Sequence, residues 1–118
     1  MTSESIEQIN FVLWFRHRHP KTLIFSVPNG GTRNKVEAMK LKREGIVPGI
    51  PDIFIPEWRL WIEMKRVKGG TVSKVQKEVM AELRRVGYQC EVAKGFEAAA
   101  CGTGCSFINN ESTKTVKT

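Results

Sequence analysis

The stretch GIPDIFIPEWRLWIEMKR, from Gly49 to Arg66, decides how this sequence is read. Two apolar runs flank Pro56-Glu57-Trp58-Arg59, a four-residue connection of the length that hairpins commonly build on a type I turn. That connection pairs Ile55 with Leu60, Phe54 with Trp61, Ile53 with Ile62 and Asp52 with Glu63. The aliphatic and aromatic partners match, which supports the register. Side chains alternate along a strand, so Asp52, Phe54, Trp61, Glu63 and Lys65 share one face. Ile53, Ile55, Leu60, Ile62 and Met64 line the other. Both faces are therefore expected to be substantially buried.

The charges on the first face are the difficulty. Directly opposed residues have Cβ atoms about 4.5–5.5 Å apart, a separation at which like charges destabilise the pair. Stability alone would not set Asp52 against Glu63. A divalent cation between them removes the conflict, and hard oxygen ligands with room for water are what Mg²⁺ or Mn²⁺ requires. Lys65, on the same face, could then hold a water nucleophile or a phosphate oxygen. The plain alternative is a solvated salt-bridge cluster with Lys65 paired to both acids.

Outward from the hairpin, helical and extended segments alternate. Ser3 to about Arg18 has Ile6, Ile9, Val12, Leu13 and Phe15 at helical spacing, with Thr2 or Ser3 as cap, Glu4 at the positive end and Pro20 as the stop. Leu23–Val27 is short, apolar and β-branched, which predicts a strand. PNGG at Pro28–Gly31 is a turn signal. Asn34–Arg43 reads as a basic helix ended by Gly45. Ser73 to about Val86 is a further helix, with Val75, Val79, Met80 and Leu83 on its apolar face; Ser73 and Gln76 have the S-x-x-Q form of a capping box. Tyr88–Ala93 reads as a last strand and Phe96–Ala100 as a short helix. The pattern predicts a mixed β-sheet with an antiparallel hairpin, flanked by helices.

A chain of 118 residues suits one domain with one core. At 41% hydrophobic and 26% charged it has the composition of a soluble globular protein. No apolar run approaches a membrane span, and the N-terminus lacks the three-part pattern of a signal peptide. Cys90, Cys101 and Cys105 are odd in number and read as reduced thiols, which suits a cytoplasmic protein. The net charge of +7 and the pI of about 9.6 favour a polyanionic partner, nucleic acid first.

The motif order carries a resemblance. Pro51-Asp52 followed by Glu63-Met64-Lys65 has the form PD…ExK and resembles the PD-(D/E)xK nuclease superfamily. With PNGG before a basic helix, GIVPGIPD at Gly45–Asp52, IEMK at Ile62–Lys65 and KGGTVSKVQ at Lys68–Gln76, the chain looks like a VRR-NUC domain, the virus-type replication-repair nucleases. The resemblance runs from about Glu4 to Phe96. It sets a nuclease domain over residues 1–100 and a polar tail over 101–118.

That resemblance implies a restriction-endonuclease-like α/β core and a Mg²⁺- or Mn²⁺-dependent phosphodiesterase. By it, Asp52 and Glu63 are metal ligands, with the Met64 main-chain carbonyl as a third. Lys65 is the catalytic lysine, and Gln76 matches the family's glutamine near the active site. Glu4 is the acid expected from the first helix, in preference to Glu7, with Gln8 on the same helical face. Small stand-alone members resemble Holliday junction resolvases and act as homodimers, which makes branched DNA the expected substrate. A branched-DNA-binding module that does not cut is the alternative.

Arg33, Lys40, Lys42, Arg43 and Lys68 are the expected DNA contacts, with a solvated basic face as the bland reading. Asn29 is a turn former or a site residue, and Gly69-Gly70 is a flexible turn or a place where a phosphate backbone approaches closely. His17, His19, Cys101 and Cys105 match no strong zinc template. Trp14, Trp58 and Trp61 are expected in packing.

Overall fold

The structure is a computed structural model that describes residues 3–28 and 35–105. Asn29 and Arg33, most of the PNGG turn, and the polar tail from residue 106 lie outside the described residues.

The elements in order are helix α1 (Glu4–Arg18), strand β1 (Phe25–Ser26), helix α2 (Lys35–Arg43), strands β2 (Ile53–Ile55) and β3 (Leu60–Lys65), helix α3 (Lys74–Arg85), strand β4 (Gln89–Lys94) and helix α4 (Phe96–Ala100). A single turn of 3₁₀ helix, Pro56–Trp58, joins β2 to β3, and Arg59 closes it in the left-handed region at φ 50°. The hairpin therefore pairs Ile55 with Leu60, Phe54 with Trp61 and Ile53 with Ile62, the register that side-chain matching predicts.

The four strands lie in the order β1-β2-β3-β4. The first two pairings are antiparallel and β3–β4 is parallel. This is the mixed sheet flanked by helices that the sequence implies. β1 is shorter than the expected Leu23–Val27. Leu23 stands 63% exposed, and one further bond, from Val27 N–H to the Asp52 carbonyl at 2.7 Å, ties this edge to the start of the hairpin.

One face of the sheet holds the apolar core. Ile53, Ile55, Leu60, Ile62 and Met64 pack with Phe11 and Phe15 of α1, Ile24, Ala93 and Ala99. Of the apolar residues spaced along α1, Ile6, Ile9 and Leu13 are at least half exposed, while Phe11 and Phe15 are fully buried. Apolar residues nearly encircle this helix, so periodicity did not single out a face. The aromatic pair at i, i+4 is the one that docks, and Phe15 meets Trp58 with ring centroids 5.2 Å apart.

The opposite face carries aromatic side chains at one end and charged ones at the other. Phe54 stacks on Trp61 at 4.2 Å and 22°, with Tyr88 edge-on to both. α3 covers part of this face, where Met80 and Cys90 are buried. Beyond Ala100 the chain continues as a π-helical turn, Cys101–Cys105, in which Thr103 is buried and donates its hydroxyl to the Ala99 carbonyl at 3.0 Å. Among the described residues no helix is long and apolar enough to cross a membrane.

Candidate active site

At the charged end, β2 and β3 diverge. Asp52 lies just before β2 and Glu63 inside β3, so continuing the hairpin register one step sets them opposite each other. Asp52 Oδ2 accepts the Met64 N–H at 2.8 Å, which replaces the strand bond that β2 no longer supplies. The Lys65 carbonyl turns the other way and accepts the Gly95 N–H at 2.9 Å. Successive carbonyls in a strand point to opposite edges, so the Met64 carbonyl points to the Asp52 side.

Glu63 is only 2% exposed. Its Oε2 receives Gln76 Nε2 at 2.9 Å and lies 3.5 Å from Lys65 Nζ. Its Oε1 is buried without a hydrogen-bond partner. Burial, and then the facing Asp52, push the Glu63 carboxyl up to about 8, against the pull of Lys65. Burial also raises Asp52, aided by Glu4 and opposed by the Met64 N–H and by Lys65. Two acceptor-only carboxylates cannot bond each other, so in the metal-free protein this pair keeps a proton at neutral pH.

Glu4, Gln8, Asp52, Glu63, Ser73 and Gln76 line one open cleft of about 640 Å³. Its other walls come from Ser5, from Ser26–Pro28 and from Pro48–Gly49. Lys65 is not among the lining residues; it is 9% exposed, with its ammonium 3.5 Å from Glu63 Oε2. Glu7 faces elsewhere: its Oε1 accepts the Phe96 N–H at 2.7 Å and satisfies the start of α4.

Two glycines fix this geometry. Gly70 is buried, and a Cβ there would lie 2.7 Å from the Arg66 carbonyl oxygen and 2.9 Å from Lys65 Cβ. The Gly69-Gly70 pair thus contains a packing position directly against Lys65, where the sequence suggested a flexible turn or a phosphate approach. Gly49, at φ +90°, brings the loop before Asp52 so close to α3 that a Cβ would meet Val75 Cγ1 at 2.7 Å.

The basic residues lie apart from these. Lys40, Lys42 and Arg43 are exposed on α2, which buries none of its residues, and Lys68 is exposed beyond β3. None of the four lines the cleft. His19 packs against Phe15 and Trp58, with ring centroids 4.8 and 5.1 Å away. Among the described residues no group of three or more His, Cys, Asp or Glu side chains is placed to hold a metal; the Cys105 side chain, part of the zinc reading, lies outside them.

No family model matches the sequence, and neither does any curated protein. A search of solved structures finds a VRR_NUC domain protein that superimposes with a TM-score of 0.73 at 28% identity, covering 93% of this chain and 88% of the other. Over most of its length the chain is similar to the VRR-NUC family. Its mixed sheet has the restriction-endonuclease-like architecture of a VRR_NUC domain, a nuclease-family fold. Within this VRR-NUC-like fold the residues of PD…ExK stand side by side at the diverging end of the hairpin, and Gln76 joins them from α3. Ser73 is the cleft residue whose connection to Glu63 the sequence did not reveal. Its capping box was legible, but the contact it supports depends on where the start of α3 meets β3.

Proposed function

We propose that this VRR-NUC domain is a Mg²⁺- or Mn²⁺-dependent endonuclease that hydrolyses phosphodiester bonds in DNA, with branched DNA as substrate and a homodimer as the working unit. The observation that carries the reading is Glu63: a buried carboxyl, set against Asp52, with one oxygen lacking any partner. Such an arrangement costs stability unless a cation completes it.

The residues present fit a hard divalent ion. Glu63 Oε1, the Asp52 carboxylate and the Met64 carbonyl are oxygen donors on one side of the hairpin. Mg²⁺ sites commonly use one or two carboxylates and leave the remaining positions to water and substrate phosphate. A bound ion would supply charge for the phosphorane-like transition state and make bound water more acidic. Lys65 has its ammonium beside Glu63 Oε2 and is the side chain available to hold a water or a phosphate oxygen. Gln76 holds Glu63 in place, and Glu4 adds negative charge near Asp52 at the cleft.

A four-way junction offers two symmetric scissile phosphates, which a two-fold dimer matches with two sites. The exposed stripe of Ile6, Ile9 and Leu13 on α1 offers apolar surface for a second copy. Lys40, Lys42, Arg43 and Lys68 supply sequence-independent attraction to the backbone. The test is incubation with a labelled four-way junction, a flap and a plain duplex, each with Mn²⁺ or with EDTA. Metal-dependent cutting of the junction in preference to the duplex is expected. Binding without cutting in any metal would show the non-cleaving module instead.

A further inference from the structure

We propose that Ser73 is a positioning residue for the cleavage centre, acting through Gln76 to fix the orientation of Glu63. The inference rests on the metal-dependent nuclease reading above.

Ser73 is the N-cap of α3 and Gln76 is its third helical residue. Ser73 Oγ accepts the Gln76 N–H at 3.1 Å, and Gln76 Oε1 accepts the Ser73 N–H at 2.9 Å. These two bonds hold both the backbone and the side chain of Gln76. With its oxygen so committed, the amide turns its NH₂ outward, and Nε2 donates to Glu63 Oε2 at 2.9 Å. The assignment of the two amide ends is fixed from the Ser73 side: its N–H only donates and so must meet Gln76 Oε1, which leaves Nε2 facing Glu63 Oε2.

The choice of glutamine follows from the same inventory. Glutamate completes a capping box equally well. It would meet Glu63 oxygen to oxygen. Only an amide closes the cap with one end and donates to the acid with the other.

The consequence lies at Glu63. Gln76 and Lys65 both act on Oε2, so Oε1 is left as the oxygen free for a ligand. If the cap is lost, the first turn of α3 frays, Gln76 loses its anchor, and Oε2 and Oε1 become interchangeable by rotation about the last side-chain bond. The same turn also supports the loop that carries Asp52, through the contact of Gly49 with Val75. One helix cap thereby braces both acids.

The test is a double-mutant cycle on the full chain with Ser73→Ala, Gln76→Ala and their combination, plus Ser73→Thr. Three quantities are read: the melting temperature in EDTA, its rise on adding millimolar Mn²⁺, and kcat on a saturating four-way junction well below the melting temperature. Ser73→Ala is expected to lower kcat about ten-fold or more, the usual cost of removing support behind a metal ligand, and to shrink the Mn²⁺-induced rise. Ser73→Thr keeps the capping hydroxyl and should restore both. In the Gln76→Ala background, Ser73→Ala should lower the EDTA melt again yet leave kcat and the Mn²⁺ rise where Gln76→Ala put them.

If Ser73→Ala lowers only the EDTA melt, Ser73 is a helix cap and the proposal falls. Losses in kcat that add fully in the double variant also overturn it, since Ser73 would then act by a separate route. A parent protein that neither cuts nor gains melting temperature from Mn²⁺ sinks the nuclease reading instead. The Gln76 side-chain amide protons, followed by ¹⁵N NMR in EDTA, decide the anchoring itself: protection from exchange that survives Ser73→Ala refutes it.

Discussion

Replacing Glu63 by glutamine should make the metal-free protein more stable, by an amount that grows with pH. The carboxyl has an ordinary value of 4.5 and is pushed up to about 8 in the fold, chiefly by burial and by Asp52. Between those values the folded chain keeps a proton that the unfolded chain has released. Unfolding then releases a proton, so stability falls as pH rises across this window. The loss is absent below 4.5 and complete above about 8. At about 1.4 kcal/mol per pKa unit it amounts to about 3 kcal/mol at pH 7 and about 5 kcal/mol at the top of the window. That is a large share of the 5–15 kcal/mol typical of a whole domain. The new amide is isosteric: its oxygen can accept from Gln76 Nε2, and its NH₂ takes the place of the partnerless Oε1 and can donate to Asp52. The assay is denaturant unfolding of parent and Glu63→Gln in EDTA at pH 5, 6, 7 and 8. The difference should be small at pH 5 and about 3 kcal/mol at pH 7, or roughly 10 °C in melting temperature for a chain of this length. Parallel stability curves across that range would refute the opposed-carboxylate account, because Glu63 would then titrate alike in both states.

Asp52→Asn removes the charge that faces Glu63 while an amide oxygen can still accept the Met64 N–H, so thermal melts in EDTA should rise by about 1 kcal/mol and the gain from Mn²⁺ should vanish. Lys65→Ala should abolish cleavage of a labelled junction yet retain most of the Mn²⁺-induced rise in melting temperature, since the lysine lies beside Glu63 without being a metal donor. Neutralising Lys40 and Lys42 together should flatten the log–log salt dependence of DNA binding by about 2, one for each lost phosphate contact; an unchanged slope places the DNA on another face. Gly70→Ala forces a Cβ against the Arg66 backbone at 2.7 Å and Lys65 at 2.9 Å, so it should cost about 1–3 kcal/mol in EDTA melts.

What the sequence disclosed about this fold follows from which contacts are periodic. A hairpin obeys a strict two-residue repeat, and its partners lie a few residues apart along the chain. Matching aromatic to aromatic and aliphatic to aliphatic therefore located Phe54 opposite Trp61, and one step beyond the ladder brought Asp52 beside Glu63. Helix α1 offered no such purchase. Its apolar residues run almost all the way round, so burial was decided by what the sheet and α4 present to it, and Phe11 and Phe15 docked in place of Ile6, Ile9 and Leu13.

The choice between Glu4 and Glu7 shows the same limit at the level of chemistry. Both occupy the first turn of α1, where either is favoured by the helix dipole. Propensity cannot separate them. Glu7 is occupied by the N–H of Phe96, 89 residues further along the chain, and Glu4 is left at the cleft beside Asp52. Ser73 follows the same rule. A capping box is local and can be read from four residues, but whether its glutamine also holds an acid depends on where the helix crosses the sheet. Local rules thus place the pair of acids and the cap separately. Only the meeting of the start of α3 with β3 joins them, and that meeting turns a stabilising helix start into a support for a destabilised carboxyl.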